Sequence, residues 1–444
     1  MLVDGPHGLE RFHVCHQGAS RPPPTASARL TPRRSQSPVE ILLNWAQRVL
    51  RRKVFEWIPP LGRALNVPLG ASFAGDFADK VLEDRIEVLA LAPEDLEEAM
   101  AVLRPAMRND AGDVSTYPEG QTRIRSLAFR IDHCIVTGHT MMVLDKSRAR
   151  VLTRETGPVN WEKAQPMRLK PRPAPTGACY TLTCQGDFAL FFRQDVLPLL
   201  HFLGKYSPQI GPLHIVTRPD FPAFVMETLR AICRAYPGVE ILELLATERL
   251  ENVTALWLSR TPEANDWAPV TREEADALGA LLRAHHKIPP AAEAEGLLFV
   301  SRGDAKLGAL VNEAEVLAEL MDYDFDFLAP RPEDHKATIQ AFQSARILVA
   351  AHGEALTNLL FCRPGTLVIE LFASNQIKSD YCWLAMRLGL RYRAVRGFQG
   401  DAMQAFSVKV HEVMAQVAAE LGPLAEEEDE DEEEETGEGA AEES

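Results

Sequence analysis

The residues best suited to chemistry gather between Ser344 and Phe372, in the stretch SARILVAAHGEALTNLLFCRPGTLVIELF. His352 sits on Gly353, and imidazole is the side chain that exchanges protons near neutral pH. Thr357 and Asn358 fall in the first turns of a short helical run. There a hydroxyl or an amide can bond phosphate or ribose, or simply cap the local backbone. Glu370 closes an apolar run and can accept from two sugar hydroxyls; equally, it can rest as a paired carboxylate at a strand end. Upstream, Arg302 in Val300-Ser301-Arg302 carries a planar fork of donors that matches a diphosphate, although sheet rims also expose arginine without function. Lys306 lies close enough in sequence to share that charge.

These groups need a frame. Ile347-Leu348-Val349 reads as a strand, 354–361 as a helix, Pro364-Gly365 as its stop, and Leu367-Val368-Ile369 as a second strand. That is a βαβ unit, and in such sheets ligands sit outside the carboxyl ends of the strands. The alternation extends on both sides. Strands are expected at 297–301, 325–328, 346–351, 366–371 and 391–395, with helices at 312–321, 332–344, 354–361, 376–388 and 402–421. Regular alternation of this kind predicts a parallel sheet covered by helices. Before a Pro-Pro-containing link at 288–295, a second α/β pattern places strands at 213–217, 239–244 and 255–259, and helices at 188–204, 222–235 and 271–286. Residues 124–152 alternate as strands around a hairpin turn at 136–139.

Composition bounds the function classes. The chain has 444 residues, 46% hydrophobic, and a net charge of −16. Thirteen acidic residues lie between Glu426 and Glu443, so removing them from −16 leaves −3 for the rest. A near-neutral body gives no nucleic-acid footprint. The acidic end, 423–444, and the Pro/Arg/Ser-rich beginning, 1–37, are expected to be disordered. Residues 39–65 mix Leu, Val, Phe and Trp with Arg48, Arg51, Arg52 and Lys53. Two uses fit that basic amphipathic pattern: a helix packed on the domain, or peripheral contact with an anionic membrane surface. Seven scattered cysteines and no long apolar run point to a cytoplasmic setting, peripheral at most to the inner membrane face.

The segment HGEALTNLLFCRPGTLVIELF resembles the HGAGLTN-type signature of glycosyltransferase family 61, and LLFVSRGDAKLGALVNEAEVLAEL (297–320) resembles that family's "SR…NE" segment. The resemblance implies a GT-B-like α/β fold, two Rossmann-like domains facing a cleft, preceded by a small β-region. Its parts would be a helical region at 38–123, an acceptor domain at 124–290 and a nucleotide-sugar domain at 291–422. It further implies inverting transfer from a nucleotide sugar to a glycan acceptor, in bacterial capsule-type polysaccharide synthesis, with no metal ion or cofactor required. Arg302, Lys306, Gly353, Thr357, Asn358 and Glu370 would then hold the donor. His352 and Asp195 would be catalytic, because DFALFFRQDVLPLLHFL (187–203) resembles the family's segment around an Asp before Leu-Pro, and that Asp would be the acceptor's base.

The chain departs from the pattern at Phe191, Leu199 and Leu307, and HGAG is replaced by HGEA, with Glu354 at the helix start. A like charge beside a diphosphate costs about 4 kcal/mol at 4 Å and an effective dielectric near 20. A catalytically degenerate binding or scaffold protein is therefore the second reading. The three carboxylates of Asp322, Asp324 and Asp326 invite a cation. Alternation along a half-buried strand explains them without one.

Overall fold

The computed structural model describes residues 71–73, 79–89, 101–103, 121–144, 151–153, 169–182, 187–262, 270–290, 293–303 and 307–423. Both chain ends, the basic segment 39–65, and Lys306 lie outside them. All described residues belong to the unit Ile58–Ser444. No described helix is long and apolar enough to cross a membrane.

The second half folds as the alternation predicts. Strands β11 (Gly296–Val300), β12 (Asp326–Leu328), β13 (Ala345–Ala351), β14 (Leu367–Phe372) and β15 (Arg391–Arg396) pair in parallel, in the spatial order β12-β11-β13-β14-β15. The strand order reverses between β11 and β13. Their carboxyl ends therefore open onto the crevice where doubly wound sheets take ligands. Between the strands run α4 (Glu313–Met321), α5 (His335–Ser344), α6 (Asp380–Arg387) and, after β15, α7 (Val410–Leu421). Every residue of β14 is buried, as a central strand covered on both faces must be. Two expected helices differ. The last one starts at Val410 rather than 402, and before it Phe406 bridges Leu310. Glu354–Phe361 winds as a 3-10 helix, tighter than an α-helix.

The first half departs further from expectation. Here β2 (Asp79–Leu89) stands within the region read as helical, paired antiparallel with β3 (Gln121–Thr137). Of the strands expected over 124–152, the first runs unbroken to the turn as β3. It carries a positive φ at His133, opposite Asn252, whose φ is also positive, in β10 (Glu248–Pro262). Two bulges in the β3–β10 pairing absorb the irregularity without ending either strand. The remaining strands are β1 (Ala71–Phe73), β4 (Val143–Leu144), β5 (Val151–Thr153), β6 (Lys170–Pro173), β7 (Ala178–Thr181), β8 (Leu213–Thr217) and β9 (Val239–Glu243). Together these make one ten-stranded mixed sheet, antiparallel around β3 and parallel through β10-β7-β8-β9. The hairpin region and the α/β region thus share a single sheet.

Helices α1 (Leu197–Ile210), α2 (Ala223–Ala235) and α3 (Arg272–His286) complete the first lobe. A single turn, Phe188–Leu190, and a π-helical turn, Phe191–Val196, lead into α1. The wide turn has a covalent cause. Pro198 has no N–H to give and its ring crowds the carbonyl four residues back, so the Leu197 N–H reaches to Phe192 O instead. One continuous apolar core joins Phe192, Phe224 and Leu278 of the first lobe to Leu359, Phe361 and Trp383 of the second. The outer face of the second sheet has its own core around Phe299, Ile369 and Val413.

Helix α3 spans the junction. Thr271 starts it with a reciprocal cap: its hydroxyl accepts from Glu274 N at 3.1 Å, and Glu274 accepts from Thr271 N at 3.0 Å. Arg272 then donates to Cys362 O at 2.9 Å in the other lobe. Thr271→Ala is expected to cost about 1 kcal/mol, read as a lower midpoint in urea denaturation.

Candidate functional site

A cavity of about 330 Å³ opens at the carboxyl ends of β11 and β13, at the lower end of small-molecule sites. Its walls come from both lobes. Asp187, Phe188 and Phe224 face it from the first; Ser301, Arg302, Arg331, His335, Glu354 and Asn358 face it from the second.

Arg302 is the first residue after the Ser301 that follows β11. The 3.4 Å approach of its N–H to Glu313 Oε2, with Ser301 Oγ donating to Glu313 Oε1 at 2.6 Å, fixes the loop against α4. The guanidinium turns across the crevice. Its Nη1 donates to His352 O, and its Nη2 to Leu307 O. Arg302 thus ties the end of β11 to the end of β13. Nε is buried without a hydrogen-bond partner. Burial lowers the guanidinium pKa, which Glu354 and Tyr381 counteract. Gly353 makes this clasp feasible. A Cβ there would fall 1.5 Å from Arg302 Nη1, although its φ of 170° is extended backbone open to any residue.

His352 lies one layer behind the cavity wall. Its Nδ1 stands 2.6 Å from Glu370 Oε1, and its ring stacks on Phe372 at 5.3 Å. Glu370 is fully buried, and the Tyr392 hydroxyl donates to its other oxygen. Both carboxylate oxygens are therefore engaged. The expectation that Glu370 grips ribose hydroxyls is corrected: on a strand buried on both faces it holds the imidazole. With Nδ1–H directed at the carboxylate, Nε2 is the nitrogen left to take or give a proton.

The other expected residues separate. Asn358 lines the cavity; its Nδ2 donates to Ala355 O at 2.9 Å, and its buried Oδ1 has no partner. Thr357 is fully buried beside Tyr381 and does not line the cavity. Asp195 is also fully buried, within the π-helical turn, where the Tyr180 hydroxyl donates to its backbone oxygen at 3.0 Å. It is not among the cavity-lining residues. Asp322, Asp324 and Asp326 do not share a strand. The first caps α4, the second takes a positive φ in a turn, and only the third begins β12.

Two carboxylates that do face the cavity are Asp187 and Glu354. Asp187 accepts from Leu190 N at 2.8 Å and so caps the turn before the π-helix. Glu354 reaches solvent, yet the cleft partly desolvates it. That raises its pKa, Asp187 raises it further, and Arg302 opposes both. The loop Pro330-Arg331-Pro332 and His335 were missed by sequence reasoning. They follow β12, so the rule placing ligands at carboxyl ends of strands would have found them.

Residues 192–369 match the family model described as Glycosyltransferase 61. The matched segment runs from within the π-helical turn into β14, as far as Ile369, and contains Arg302, His352, Gly353 and Glu354. It supports the family assignment that the signature implied, and with it a sugar-transferring activity. A comparison with curated proteins gives no match.

Two outcomes test the geometry. Gly353→Ala displaces the guanidinium and is expected to cost about 1–3 kcal/mol in urea denaturation. In an Arg302→Ala background the same change costs markedly less, since the two share one contact. Glu354→Gln removes a carboxylate whose raised pKa makes its ionised form destabilising above its ordinary value of 4.5. Thermal melts are therefore expected to place Glu354→Gln above wild type at pH 7. The two should converge at a pH below 4.5.

Proposed function

We propose that this chain, whose residues 192–369 carry the glycosyltransferase family 61 match, moves a sugar from a nucleotide-sugar donor to a glycan acceptor with inversion. A GT-B-type arrangement and a role in cell-surface polysaccharide synthesis belong to the same proposal. One observation carries it: a two-lobed cavity at the strand-order reversal, with a guanidinium, an amide oxygen and a desolvated carboxylate on its wall.

In this reading, Arg302 and Asn358 hold the donor. Arg302 already bonds two backbone carbonyls, but the second hydrogens of its Nη atoms remain to meet diphosphate oxygens. The base is assigned to Glu354 rather than Asp195. A carboxylate with a raised pKa, on the wall of the cavity, can take the acceptor hydroxyl's proton as the bond to the anomeric carbon forms. The leaving diphosphate keeps its negative charge beside Arg302. His352, its Nδ1 held by Glu370 behind the wall, is a positioning residue that fixes the backbone carbonyl to which Arg302 donates. Asp195 is a positioning residue within the π-helical turn.

A second reading has its own observation. Asp187 and Glu354 both face the cavity, and like charges there oppose a diphosphate. A binding protein without turnover fits that wall.

Incubation of the purified chain with a panel of nucleotide sugars and glycan acceptors separates the two. Transfer, with release of nucleoside diphosphate, is expected. No turnover and no nucleotide binding by calorimetry would leave the second reading standing. Arg302→Ala is expected to weaken donor binding at least tenfold, about 1.4 kcal/mol. Glu354→Gln is expected to abolish transfer with donor affinity retained, whereas Asp195→Asn changes stability more than kcat.

A further inference from the structure

Sharing His335 with the cavity wall, but apart from the residues assigned to transfer, three ligand-type side chains converge from three helices. Glu227 lies on α2, His286 is the last residue of α3, and His335 is the first residue of α5. One ligand atom from each lies within 4.8 Å of the others. His286 Nε2 is 3.7 Å and His335 Nδ1 4.0 Å from Glu227 Oε2. Neither separation is a hydrogen bond. In a tetrahedral site with bonds near 2.05 Å, ligand atoms stand about 3.3 Å apart. Small side-chain rotations therefore close the gap.

The imidazoles are what need explaining. His335 is 2% exposed, and both of its ring nitrogens are buried without a hydrogen-bond partner. His286 Nε2 is likewise buried and unpartnered. Buried polar atoms almost always find partners. Phe188, Phe192, Phe224 and Phe361 surround the His335 ring at 6.1–6.3 Å between centroids and supply none.

We propose that Glu227, His286 and His335 form a binding site for one divalent transition-metal ion, zinc foremost, that pins α2 and α3 of the first lobe to α5 of the second. Two imidazoles and a carboxylate suit zinc, and the fourth position is left to water. The negative end of the α3 dipole at His286 favours a cation there; the positive end of α5 opposes it. None of the three ligands is a residue assigned to transfer, although His335 shares the cavity wall.

The test uses the untagged full chain, stripped with chelator and dialysed. Zinc titration by calorimetry is expected to show one saturable equivalent and a raised Tm. Cobalt substitution should give visible d–d bands of a four-coordinate site without the thiolate charge-transfer band that cysteine ligation would add. His335→Phe, which fills the aromatic cage with another ring, should weaken binding at least tenfold. Glu227→Gln, on a half-buried side chain, should do the same and guards against a folding defect in the first variant. Lack of saturable uptake, a thiolate band, or wild-type affinity in both variants would overturn the site. None of these readings depends on turnover, so the site and the transferase reading fail independently.

Discussion

Parallel strands that part company leave backbone carbonyls pointing into the gap, and here one guanidinium answers two of them. Arg302 reaches from the end of β11 to His352 O at the end of β13, and back to Leu307 O in its own loop. The rest of the site depends on that clasp. It requires Gly353, because any larger residue would occupy the space of the guanidinium. It fixes the peptide of His352, whose ring is then set by Glu370 and, behind that, by Tyr392. It also sets the start of the short 3-10 helix that carries Glu354 and Asn358 to the cavity. A buried charge of this kind is tolerated only when its donors are met. Phosphate oxygens would meet those that protein carbonyls do not.

Much of the second lobe was legible because its signals agree. Apolar runs of β-branched residues, a glycine after β13 and Pro364-Gly365 before β14 mark the boundaries to within a residue or two. The roles of its residues were less so. Glu370 follows three apolar residues and looks like a strand end, yet the strand continues through Phe372 and buries it. Sequence shows where a strand starts more readily than how deep its last residues lie. Asp195 was obscured by Pro198, which converts the preceding turn to a wider pitch and so changes which side chains face inward. In the first lobe, β2 and the merged β3 were hidden because pairing of β2 along β3 and of β3 along β10, not local pattern, makes them strands. The loop after β12 carries no motif of its own, and only its place at a carboxyl end points to it.

If Glu354 is the base proposed above, stability and function are opposed at one residue. A glutamate at the first turn of a helix is favoured by the dipole. Partial desolvation and Asp187 work against its charge, and Arg302 recovers part of the loss. Sites that perform proton transfer are commonly held in such uncomfortable states, and relieving them tends to strengthen the fold while silencing the chemistry. The departure from the family's HGAG pattern is thus itself a source of a carboxylate on the cavity wall, rather than only an obstacle to an anionic ligand.

The unbroken apolar core between the lobes carries a consequence for how anything gets in. Phe192, Phe224 and Phe361 meet across the junction, around the His335 ring. Swinging the lobes apart would wet those rings at about 1.5–3 kcal/mol each, a sum comparable to the entire stability of many domains. Large clamshell excursions are therefore costly for the folded chain. Entry and exit must proceed through a mouth of nearly constant width, and the molecule works as a rigid socket, selecting its guests by their shape on arrival.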